Sequence, residues 1–182
     1  MLHSEKYYRT LELDKVLKRL ADLCSCDDSM VLAQNLRPVT DFYQAQALMK
    51  KTSDAYMLSA RFGAPTIHRL KNCGDALTRA EKGSDLSLGE LLQVARVLAG
   101  IRSVKDWRNR CDTARTSLDE LFEYLVPNKG LENAIHNAIL SEEEVADTAS
   151  KELGDIRRKI NNAQLRIRDK LDVKEREKAN AI

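Results

Sequence analysis

The sequence has no C-x-x-C pair and no histidine pair at ligand spacing, so its four cysteines, Cys24, Cys26, Cys73 and Cys111, make neither a zinc framework nor a disulfide framework. They read as free, mostly buried thiols that behave as small hydrophobes. Phosphate-binding loops are missing too. None of the seven glycines is followed by Lys-Ser or Lys-Thr, and there is no H-E-x-x-H, no G-x-S-x-G and no glycine-rich turn feeding a βαβ unit. No apolar run approaches the roughly 18 residues a spanning helix needs. The opening "MLHSEKYYRT" lacks the apolar core of a secretory signal. These absences predict a soluble, cytoplasmic chain with no membrane partner, and with no catalytic residue, cofactor site or metal site of its own.

Single residues add little to that. His68 in "TIHRLK" and His136 in "NAIHNAIL" lack the partners a catalytic base needs, and the acidic run Glu142–Glu144 points its side chains in different directions. Trp107 is the one tryptophan and reads as a core anchor.

With 43% hydrophobic and 32% charged residues, 182 residues suffice for a folded domain. The net charge is +2, too small to argue a nucleic-acid partner in bulk. Its distribution is uneven. Residues 151–182 carry 10 Lys or Arg against 6 Asp or Glu, a balance of +4, which leaves −2 for residues 1–150.

Apolar residues recur at three- and four-residue intervals and never alternate over the length of a strand, which predicts an all-α bundle with a long carboxy-terminal helix. The expected organisation is a helical core over 1–140, an acidic link over 141–150 and the start of a long arm over 151–182. Leu13, Val16, Leu17, Leu20, Ala21, Leu23 and Cys24 form the first amphipathic face, with a turn at "SCDDS" before "MVLAQNL". Thr40 or Asp41 caps a helix that Gly63 and Pro65 stop, and "NCGDALTRAEKG" is a shorter one closed by Gly83. Ser87 and Glu90 have the capping-box spacing and open a helix reaching about Arg110, and Ser117 and Glu120 repeat that spacing ahead of "LDELFEYLV". "GLENAIHNAIL" makes a further helix, and Ser150 caps the last.

In that last helix Leu153, Ile156, Ile160, Ala163 and Ile167 step by 3, 4, 3, 4, the spacing of a coiled-coil seam. Strict continuation of the heptad puts Lys170 and Lys174 in the seam, with Leu171 one position off, so pairing is expected to weaken beyond Ile167. Arg157, Arg158, Lys159, Arg166 and Arg168 are the candidate nucleic-acid contacts. They fall on both sides of the seam and are diluted by Asp155, Asp169 and Asp172.

Taken in order, "RTLELDKVLKRLADLCSC", "NLRPVTDFYQAQALMKKTSDAYML", "LTRAEKGSDLSLGELLQVARVLAGIRSVKDW" and "AILSEEEVADTASKELGDIRRKINNAQLRIRDKL" resemble the amino-terminal part of the type-two MutS proteins of bacteria. The resemblance implies a core and lever region whose last helix rises toward a clamp that reaches DNA. It also implies a parent protein with a dimeric ABC-type ATPase using ATP and Mg, often followed by an endonuclease domain. Parent roles would be binding of branched DNA, suppression of recombination, DNA repair and, in some bacteria, action on stalled ribosomes. After "RDKLD" the resemblance calls for a few apolar residues and the clamp, and "VKEREKANAI" departs from that pattern from Val173 on. The rival reading from the residues is a stand-alone helical adaptor that pairs with a protein, or with itself, through the seam.

Overall fold

The computed structural model describes residues 7, 8, 10–67 and 70–179. His68 lies outside them. Among the described residues the regular structure is helical: α1 Leu13–Asp22, α2 Asp27–Gln34, α3 Phe42–Phe62, α4 Gly74–Glu81, α5 Leu88–Arg110, α6 Asp119–Glu123, α7 Lys129–Ala138 and α8 Lys151–Ala179, with a 3-10 turn at Asp147–Ala149 before the last. Two isolated bridges, Cys26 with Leu70 and Ile139 with Val145, are the extended pairings. No described helix is long and apolar enough to cross a membrane.

The helix ends follow the local chemistry in most places. Asp41 accepts the Gln44 amide at 2.7 Å and starts α3. Gly63 ends it at φ 75°, a left-handed conformation that costs glycine no Cβ clash. At α5 both halves of the capping box form: Ser87 Oγ accepts the Glu90 amide and Glu90 accepts the Ser87 amide at 2.9 Å. Ser150 Oγ accepts the Leu153 amide at 3.1 Å at the base of α8.

Three sequence expectations need correction. The turn after α1 is shorter than "SCDDS", because α2 already begins at Asp27. Ser117 and Glu120 make no capping box. Asp54, on α3, accepts both the Ser117 amide at 2.8 Å and its hydroxyl at 2.7 Å, so the hydroxyl is committed to a partner 63 residues away and α6 shrinks to five residues without a side-chain cap. The cysteines are free, but only Cys111 is buried; the other three are half-exposed.

Helix α5 is the spine, with a cluster at each end. Near its start Val94 and Ala95 pack against Ile135 and Ile139, with Leu88, Leu91, Leu98 and Cys73 around them. Near its end Trp107 and Cys111 pack against Leu58 of α3, flanked by Phe62, Leu118 and Phe122. Trp107 Nε1 donates to the Gly63 carbonyl at 3.0 Å, so the largest side chain in the cluster also pins the end of α3. Helices α1 and α2 pack on each other as a hairpin. The Cys26–Leu70 bridge and the Asn72–Asp28 hydrogen bond of 2.6 Å tie that hairpin to the segment before α4.

The link to α8 is an ordered turn. The Ala146 amide returns to the Ala138 carbonyl at 2.8 Å, and Ala146 is buried. Gly154, in the first turn of α8, lies so close to this turn that a Cβ there would sit 3.0 Å from the Asp147 carbonyl oxygen.

Candidate interaction surface on the terminal helix

Two buried or half-buried ion pairs brace α5, and they are structural. Arg102 makes two bonds to Glu132 of α7, Nε at 3.0 Å and Nη2 at 2.8 Å, and Glu132 is the one buried charged residue described. Those bonds hold its carboxyl below the usual range and raise the guanidinium. Arg108 grips Asp119 in the same two-pronged way at 2.6 and 3.0 Å, which lowers the Asp119 carboxyl. Asp54 is lowered by its two hydrogen bonds from Ser117. Sequence reading missed all three, because each partner lies 11 to 63 residues away. His136 is exposed, and among the described residues no group of three or more His, Cys, Asp or Glu could hold a metal ion.

The base of α8 is fixed by Arg157, whose Nη1 donates to the Val145 carbonyl at 2.8 Å and also pairs with Asp147. Arg158 pairs with Asp155 one turn back. Both are therefore engaged inside the chain. Lys159, Arg166 and Arg168 are exposed and have no hydrogen-bond or ion-pair partner among the described residues. The five candidate basic contacts thus divide into Arg157, which anchors the arm, Arg158, which pairs within the helix, and three that stand free.

The seam residues share one face. At 100° per residue Leu153, Ile156, Ile160, Ala163 and Ile167 fall within an arc of about 80°, and on an uninterrupted helix Leu171 joins the same arc. Leu153 is half-buried against the base. Beyond it the stripe is uncovered, with Ile156 at 53%, Ile160 at 49%, Ile167 at 60% and Leu171 at 57% exposure. Contiguous exposed apolar surface is the kind that marks interaction sites.

No family model matches the chain. Individual relatives do. A protein named endonuclease MutS2 from Acetivibrio thermocellus is 39% identical over 173 residues, covering 93% of this chain and 22% of its own length. The chain is similar to MutS2 proteins along nearly its whole length. A second endonuclease MutS2, from Ruminiclostridium cellulolyticum, is 37% identical over 171 residues, and a third, from Clostridium beijerinckii, is 29% identical over 170. The chain spans about a fifth of the length of these MutS2 relatives, 22% in each case.

Proposed function

We propose that the chain is the amino-terminal core and lever portion of a MutS2-type ATPase that acts on DNA, with α8 as the arm that carries the ATPase state to a clamp. The observation that supports this reading is the combination of family likeness over 93% of the chain with a 29-residue helix, anchored at its base and open along its length. In the parent, ATP and Mg would sit in the ATPase domain. This chain has no glycine-rich phosphate loop for them. The parent would be a homodimer that binds branched DNA, limits recombination and serves repair, with stalled ribosomes as a second target and an endonuclease activity such as its relatives' name carries.

This chain's own share is mechanical. Arg157, Ser150 and the close approach at Gly154 set the direction of the arm, and the two α5 clusters hold the base against which it turns. Lys159, Arg166 and Arg168 are the free cations that would touch phosphate. The purified chain should turn over no ATP and bind branched DNA weakly, with affinity falling steeply as salt rises. ATP hydrolysis by the chain alone would overturn the reading, as would tight DNA binding that 0.5 M salt leaves intact.

The uncovered stripe also favours a second reading, an adaptor that pairs through residues 153–167. That reading expects a dimer that forms with rising concentration, visible by sedimentation velocity.

A further inference from the structure

A groove of about 440 Å³ lies on the α1–α2 hairpin, on elements other than the arm. Tyr8, Leu13 and Leu17 are half-buried and form its apolar surface, and Asp14, Lys18, Gln34 and Arg37 are exposed and form its polar rim. The two helices are short, 10 and 8 residues, and Ala21 and Ala33 are the residues they bury. The end of the hairpin where α1 starts and α2 stops therefore keeps a space that its own side chains do not fill. Small-molecule sites occupy volumes of this order, about 300 to 1,000 Å³.

The charges on that rim are unpaired. Asp14 and Lys18 stand one turn apart on α1, the spacing at which opposite charges meet on a helix, yet neither has a hydrogen-bond or ion-pair partner among the described residues. The neighbouring Lys15 differs, since its ammonium sits 2.6 Å from Glu12. Arg37 turns one guanidinium nitrogen, Nη1, back to the Leu36 carbonyl at 2.8 Å and the Gln34 carbonyl at 3.3 Å, which leaves its Nε and Nη2 without a partner among the described residues. Two cations and one carboxylate thus stand beside an aromatic ring and two leucines. An apolar ligand would leave the cations unmet. Inorganic phosphate would leave Tyr8, Leu13 and Leu17 uncovered.

We propose that this groove binds a nucleoside 5′-monophosphate. The base stacks on Tyr8 over Leu13 and Leu17, the phosphate takes Lys18 and Arg37, and Asp14 accepts hydrogen bonds from the hydroxyl or N–H groups of the nucleoside. A phosphate monoester carries a charge of about −2, which the two cations meet. A triphosphate brings more negative charge and sets it against Asp14. The proposal goes beyond the lever reading and does not depend on it. The ligand is a free nucleotide or the 5′ end of a strand, and the phosphate monoester is the same in both.

The test titrates the whole chain with AMP, adenosine, inorganic phosphate, ATP and a single-stranded hexanucleotide with and without a 5′-phosphate, read by ligand-observed NMR. AMP should bind about tenfold more tightly than adenosine, phosphate or ATP, with a preference over adenosine that narrows as salt rises. Lys18→Ala and Tyr8→Ala should each weaken AMP about tenfold while keeping the wild-type circular dichroism spectrum. Asp14→Asn should bring ATP to the affinity of AMP, because it removes the charge that opposes the longer phosphate chain. A hexanucleotide that needs its 5′-phosphate and binds more tightly than AMP identifies a strand end as the source; weaker binding identifies the free nucleotide. No binding of AMP at millimolar concentration overturns the proposal. Adenosine or phosphate binding as tightly as AMP overturns it too, and so does ATP binding more tightly. Affinity for AMP unchanged in both Lys18→Ala and Tyr8→Ala places the nucleotide elsewhere and overturns it as well. A hexanucleotide that displaces AMP equally well without its 5′-phosphate overturns it in favour of the strand backbone.

Discussion

Helices α5 and α8 are the two longest in the molecule, 23 and 29 residues, and they are stabilised by opposite means. Helix α5 is embedded. Its start is buried against α7, its end against α3 and α6, and ion pairs from Arg102 and Arg108 reach outward from between and beside those contacts. Helix α8 is held at its base, and from Gly154 to Lys174 every residue but Gly154, Asp155 and Arg157 is exposed. Length alone therefore says little about role. What separates a spine from an arm is where the apolar residues find partners: on both ends and several sides for α5, on a single open stripe for α8.

That contrast is breakable by mutation. Trp107→Ala should have the largest effect, a loss of about 3 kcal/mol in urea unfolding, since it empties the end cluster and frees the Gly63 carbonyl. Ala95→Leu, at a position with no exposed surface, should cost about 2 kcal/mol by overpacking the other end. Acid should act next. The folded carboxyls of Asp54, Asp119 and Glu132 lie below their ordinary values, so the unfolded chain binds more protons and stability rises with pH. Their contribution is complete above the ordinary carboxylate range near pH ~4 and is lost as pH falls through the lowered folded values. A thermal-melt series from pH 7 to pH 3 checks this; a melting temperature that stays level to pH 3 would show these pairs contribute nothing. Ser87→Ala removes one half of a capping box and should cost about 1 kcal/mol. Ile160→Asp should change stability by less than about 0.5 kcal/mol, because that side chain is half out in water, while abolishing pairing. If Ile160→Asp destabilised the fold as much as Ala95→Leu, the distinction between spine and arm would collapse.

How much of this was legible in the sequence depended on the range of each interaction. Ser87 and Glu90, Asp41, Ser150 and the glycine at position 63 act within four residues of themselves, and each marks a helix end as its chemistry demands. Ser117 shows where that logic stops. It has the same spacing to an acid as Ser87, yet Asp54 takes its hydroxyl from across the fold, and no local pattern announces such a competitor. Glu132 is buried for a similar reason: Arg102, 30 residues earlier, arrives on the facing helix. In the arm the seam was readable because its period is local.

The contact at Gly154 has a geometrical consequence. A helix of 29 residues is about 43 Å long, so each 10° of tilt at the base displaces its far end by about 7 Å. Only a hydrogen atom stands between the first turn of α8 and the Asp147 carbonyl, so the aim of the whole rod is set where two backbones touch. A single methyl group there would be read out as a displacement at the tip many times its own size.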